Sequence, residues 1–170
     1  MTHIIDAGGE NDKYAIPLGT LRTSHVRNEK RLEWTKDRLQ ETLNTCKSVF
    51  PDLEVRSITA TYNCVGMVFA SRRVWVDPDE VNLFLTDDNY AKLDNLDHAQ
   101  IGDVAIYKSP EGSIKHVGII IERKVDIKAA QIQFKILSKW SVNPEFIHRP
   151  SEVFASYGQL SEIWTDRKEL

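Results

Sequence analysis

Thr61-Tyr62-Asn63-Cys64-Val65-Gly66-Met67-Val68-Phe69-Ala70-Ser71-Arg72-Arg73 is the stretch on which the reading of the chain turns. It is polar and loop-like as far as Asn63, then becomes a compact apolar run short enough for one buried helix. Cys64 therefore falls at or just before a helix N-terminus, where unpaired backbone N–H groups and the helix dipole favour an anion. A free cysteine titrates at about 8.5, and such a setting lowers that by roughly one to several units. Val65, Val68 and Phe69 suit burial, Gly66 admits a neighbouring backbone at close range, and Arg72-Arg73 complements the dipole at the far end.

Downstream, Lys115-His116-Val117-Gly118-Ile119-Ile120-Ile121 puts a histidine at the start of a strand-like run. A thiolate nucleophile needs an imidazole within hydrogen-bond reach, and that imidazole needs an orienting group. His116 follows Cys64 by 116 − 64 = 52 positions, and a strand holds a base more rigidly than a loop. Cys64 and His116 are thus the candidate nucleophile–base pair. A packed core thiol and a partly exposed strand histidine are the plainer readings of the same residues.

The rest of the chain supplies the frame. Residues 1–23 show no sustained period and read as an irregular lead-in, so that 24–170 forms a single domain. Ser24 is placed to cap a helix from about 25 to 49, with Leu32, Leu39, Leu43, Cys46 and Phe50 on one face and Pro51 as the stop. Cys46 lies on that apolar face and reads as a packed structural thiol. An extended piece, 53–59, precedes the Cys64 stretch, and a helix is expected over 79–86 with Val81, Phe84 and Leu85 inward. Strands follow over 103–107, 114–122, 131–140 and 159–165; Ser109-Pro110-Glu111-Gly112 is a turn, and 143–158 reads as a long surface loop. Helices first and strands afterwards point to an α+β domain whose N-terminal helices pack on a C-terminal antiparallel sheet.

The 170 residues are 41% hydrophobic and 28% charged, with a net charge of −3. That is an ordinary globular composition, and its weak acidity argues against a nucleic-acid partner. No apolar run approaches the ~20 residues that span a membrane. Neither a basic n-region nor an apolar h-region opens the chain, so a cytoplasmic location is expected, with signal-independent secretion as an effector left open. Two cysteines and no CxxC imply reduced thiols. His3, His25, His98, His116 and His148 lack ligand spacing, so no metal and no cofactor is expected.

Asn63-Cys64-Val65-Gly66, then Gly102-Asp103-Val104-Ala105-Ile106-Tyr107, then His116-Val117-Gly118-Ile119-Ile120 resemble the NlpC/P60-like branch of papain-like cysteine peptidases. The resemblance covers about residues 60–140. Ser138-Lys139-Trp140 with His148 and Tyr157-Gly158 resembles a poorly characterised bacterial subgroup of the same layout. The resemblance implies a papain-like NlpC/P60 fold and a bacterial cysteine peptidase or amidase. It implies a thiol hydrolase that cleaves an amide bond of a peptide or protein through an acyl-enzyme, with Cys64 as nucleophile and His116 as general base. It also implies a third polar residue on the strand after the base. A hairpin turning near Asp126 sets position 137 or 138 opposite His116, which makes Ser138 the geometric candidate; His148 or a water is the alternative. Lys139 then points to the other face. Asn63 replaces the family's commoner aspartate. Tyr62 either offers its hydroxyl to an oxyanion, with the backbone N–H of Cys64, or packs under the helix. Two other functions use the same residues: an inactive module of this fold that binds a protein partner, and an acyltransferase. Oligomeric state and substrate identity are not encoded in any motif.

Overall fold

The computed structural model describes residues 15–23, 25–126 and 131–168. In chain order these hold β1 (Asn28–Glu29), α1 (Lys36–Val49), β2 (Glu54–Ser57), α2 (Cys64–Phe69), β3 (Trp75–Val76), α3 (Val81–Asp87) and β4 (Ala91–Lys92). The second half holds β5 (Val104–Lys108), β6 (Ile114–Asp126), β7 (Gln131–Lys139), β8 (Glu145–His148) and β9 (Gln159–Thr165). Seven strands form one antiparallel sheet in the order β2-β8-β7-β6-β5-β9-β4, and β1 pairs with β3. The architecture is α+β with a large antiparallel sheet.

Strand alternation divides the core into two layers. Val104, Ile106 and Val117 meet α2 and α3 through Cys64, Val65, Phe84 and Leu85, and Leu137 meets Tyr62 and Met67 on the same side. The opposite face carries Ala105, Tyr107, Ile120, Phe134, Ile136 and Ile163. There α1 contributes Cys46, which clusters with Leu53, Trp140 and Phe146, and Leu43 and Phe50 pack against that group.

The first helix is shorter than its apolar spacing predicts. It starts at Lys36 behind Thr35, whose hydroxyl accepts from the Arg38 N–H. Residues 25–35 are not helical, because the buried Asn28 amide donates to Ile16 O and Val26 O and accepts from Ile16 N–H, which pins an extended chain. Leu32 is consequently 85% exposed. The proposed cap, Ser24, lies outside the described residues, as does the lead-in before Ala15. The expected surface loop over 143–158 contains β8, which pairs with both β7 and β2 and buries Glu145, Phe146 and His148.

Close approach at Gly66 fixes α2. A β-carbon there would overlap the Val74 carbonyl, and the turn after α2 returns along that side. Gly66→Ala is expected to destabilise the fold by about 1–3 kcal/mol. A lowered urea midpoint with an unchanged slope would report it.

Candidate active site

Asn63 caps α2 and ties it to β3. Its Oδ1 accepts from Gly66 N–H (2.9 Å) and Val76 N–H (3.2 Å), while Nδ2 donates to Val76 O (2.7 Å). This explains the amide at a position where the resemblance makes aspartate the commoner residue. The side chain must donate as well as accept, and a carboxylate would face the Val76 carbonyl unpaired.

Cys64 is the first residue of α2 and is buried against the sheet. Backbone N–H groups of Val117, Val65 and Cys64 itself face the sulfur and favour its thiolate, and Lys139 adds a smaller attraction. Burial outweighs all of them and pushes the thiol up from its ordinary value. The expectation of an eased ionisation therefore reverses in the resting structure. The helix terminus is present, but its field acts in a water-excluded pocket where the charged form is penalised first.

His116 is 1% exposed on β6. It lies beside Tyr107 of β5 in the ladder, with ring centroids 5.5 Å apart, and stacks on Tyr157 at 4.3 Å. Its neighbour Val117 packs with Cys64, so the strand sends the two residues to opposite faces. No hydrogen bond joins His116 to Cys64; both imidazole nitrogens are buried without a partner among the described residues. Burial, then the neighbouring His148, hold its pKa down at about 3.

The register places Ser138 differently from the expected hairpin. Ile119 pairs with Leu137, and an irregularity between Ile120 and Glu122 shifts β6 against β7. Continuing that pairing sets Ser138 beside Gly118, where a β-carbon would come within 3.1 Å of Ser138 Cβ. The Ser138 hydroxyl bonds His148 Nε2 (2.7 Å) and accepts from Trp140 Nε1 (3.0 Å). His148 Nδ1 donates to Arg149 O (2.7 Å), so neutral His148 carries its proton on Nδ1 and accepts from Ser138. Ser138 and His148 thus orient each other, and neither bonds His116. Burial lowers His148 to about 4.

Tyr62 packs beneath α2, and its hydroxyl donates to Glu145 Oε1 (2.6 Å) and meets Ser57 Oγ (3.1 Å). Burial, then the Glu145 bond, push it up to about 12. Arg72 Nε donates to the same carboxylate (2.7 Å). Glu145 had no sequence signal, since it fell in a stretch that reads as loop, and Tyr157 entered only through the resemblance, without a role. The phenol of Tyr62 was the one hint, because a buried hydroxyl requires a partner. A groove of about 530 Å³ lined by residues including Phe134, Lys135 and Arg149 contains none of these groups. No cluster of His, Cys, Asp or Glu among the described residues is arranged to hold a metal, and no helix among them is long and apolar enough to cross a membrane.

Compared with known proteins, the chain matches no family model, no curated protein and no solved structure.

The two histidines give the fold an acid-sensitive end. Unfolded histidine titrates at about 6.5, well above His116 and His148 in the fold. Below about 6.5 the unfolded chain binds more protons, so stability is full above that pH and is lost as pH falls towards 4 and then 3. Each histidine steepens the loss by up to about 1.4 kcal/mol per pH unit. The urea midpoint is expected to drop between pH 7 and 4.5, and His148→Gln to flatten that drop.

Proposed function

We propose that this protein is a cysteine hydrolase of papain-like, NlpC/P60-like design, cleaving an amide bond in a peptide or protein. The observation that supports this most is the pair of unpartnered nitrogens on buried His116, one residue from the Val117 N–H that faces the Cys64 sulfur. A core histidine retained for packing normally has its nitrogens satisfied. His116 makes only ring contacts among the described residues, so no hydrogen bond is lost if it moves; because it lies on the opposite face of β6 from Cys64, the pair forms only when substrate binding repositions this strand against α2.

In the reaction, a ring nitrogen of His116 takes the Cys64 proton and the thiolate adds to the substrate carbonyl carbon. Backbone N–H groups at the start of α2 receive the developing oxyanion. The imidazolium returns its proton to the leaving amine as the C–N bond breaks, leaving a thioester. Water, deprotonated by His116, then releases the acid and restores the thiol. Burial keeps His116 in the neutral form that a base requires but weakens its basicity. Entry of substrate and water past Tyr157 restores it. A thioester intermediate is equally open to an amine or alcohol acceptor, which is the acyltransferase variant of the same chemistry. The stacking of Tyr157 over His116 favours a second reading, a non-catalytic module that presents this face to a protein partner.

An iodoacetamide-type activity probe is expected to label wild type at Cys64 and to lose that label in Cys64→Ser. Cys46 contributes little background, because burial raises it to about 11. His116→Ala is expected to slow labelling and peptide cleavage at least roughly a hundredfold. Equal labelling of wild type and Cys64→Ala would exclude the hydrolase.

A further inference from the structure

Lys139 is fully buried at the end of β7, and it makes no ion pair among the described residues. Its Nζ donates to Ser141 O (2.6 Å) and Asn143 O (2.5 Å) in the following turn. A lysine desolvated against two carbonyls is costly, since an ammonium out of water loses several kcal/mol unless an opposite charge repays it.

Its surroundings say which charge. Alternation turns Lys139 away from Ser138, to the face where Tyr62, Met67 and Leu137 pack together under α2. Nζ stands 5.4 Å from the centroid of the Tyr62 ring, two residues before Cys64. Antiparallel continuation of the Ile119–Leu137 pairing sets Lys139 across from Val117, the residue that packs on Cys64. Across the other edge, Lys139 pairs in the ladder with Glu145, whose carboxylate is already engaged by Arg72 Nε at 2.7 Å and by the Tyr62 hydroxyl. Arg72 and Lys139 bring two positive charges to this layer and Glu145 brings one negative. The other groups within electrostatic range are Cys46, a thiol kept neutral by burial, and Glu33, an exposed carboxylate bound to Thr59 and Ala60. Arg72 is the ion-pair partner of Glu145 and Glu33 is exposed to solvent, so no buried anion is left for Lys139 alone.

We propose that Lys139 is a positioning residue for Cys64, its buried ammonium serving as the counter-charge of the Cys64 thiolate, which closes the charge balance of the Arg72–Glu145–Lys139 cluster. Burial lowers the Lys139 amine to about 8, and Glu145, Cys64 and Glu33 act in the opposite direction. The amine is therefore mostly cationic at pH 7, when the thiolate has to form. His116 then has only to remove the proton, while Lys139 holds the resulting anion from the face of the sheet that carries α2. This assignment rests on Cys64 being the nucleophile.

The test measures the iodoacetamide alkylation rate of Cys64 at pH 7 in the full chain, with urea midpoints confirming that each variant is folded. Lys139→Gln is expected to slow alkylation roughly tenfold, the effect of one pKa unit, and Lys139→Arg to retain most of the rate. A rate unchanged in Lys139→Gln overturns the proposal. Because Lys139→Gln also loosens the turn at 141–143 and can fail to fold, a second measurement keeps lysine in place. The Lys139 Cε resonance is titrated in wild type and in Cys64→Asp, which fixes a negative charge at the thiol position. The midpoint is expected to rise by about one unit or more, and an unchanged midpoint overturns the proposal. Lysine-dependent alkylation without any peptide cleavage would retain this inference and reject the hydrolase. Cys64-dependent cleavage with lysine-independent alkylation would do the reverse.

Discussion

Neighbouring residues of β6 serve different faces of the sheet, and the arrangement of the whole site depends on that alternation at His116 and Val117. Val117 carries α2 and the Cys64 sulfur on one side, while His116 carries the aromatic layer of Tyr107, Tyr157 and Trp140 on the other. The helix comes close because Gly66 has no side chain to meet the Val74 carbonyl, and it keeps its angle because Asn63 bonds both its own first turn and β3. The thiol is thus placed by backbone and amide contacts, while the imidazole on the other face makes no hydrogen bond among the described residues.

The layer beneath α2 is costly to build. Ser71 and Arg72 both sit at positive φ (51° and 63°), a left-handed conformation that costs an L-residue roughly 1–2 kcal/mol each. Their turn closes α2 through the Arg72 N–H to Gly66 O bond (3.0 Å) and aims a guanidinium, itself 42% exposed, at the fully enclosed Glu145. Glu145 in turn accepts the Tyr62 hydroxyl. Truncating one member of such a set leaves a buried charge unpaired, which costs more than the pair is worth. The strain, the ion pair and the buried lysine lie together beneath α2, on the face of the sheet that carries Cys64.

Much of this was legible in the sequence where one physical signal dominates. The apolar run after Asn63 marks α2, the Ile119-Ile120-Ile121 core marks a strand covered on both faces, and Val81, Phe84 and Leu85 mark α3. Lys139 and Ser138 were assigned to opposite faces by alternation alone. What escaped depends on long-range pairing. β8 is four residues flanked by Pro144 and Pro150, so nothing local separates it from a loop; its identity comes from β7 and β2 on either side. The start of α1 was misplaced because Leu32 keeps the helical spacing while Asn28 spends its amide on Ile16 and Val26. The partner of Ser138 was misassigned because the hairpin turns beyond Asp126, which pairs with Gln131, and the irregularity between Ile120 and Glu122 takes back only one position of that offset.

Both halves of the site are finished by the chain that follows β7. The turn at 141–143 supplies the two carbonyls that hold Lys139 under α2, and the short helical turn Ala155–Tyr157 supplies the ring that covers His116. Between them, β8 delivers Glu145 to one face and His148 to the other. Gly158 closes the sequence of contacts: its φ of 79° and its approach to the Lys108 carbonyl seat Tyr157 against β5 before β9 begins. Cys64 and His116 are therefore only the chain-distant ends of a unit whose charge balance and access are set by residues 139–158. Substitutions in that segment are expected to act on the surroundings of the thiol and of the imidazole together, because one continuous stretch of backbone holds the proposed counter-charge of the first and the ring that covers the second.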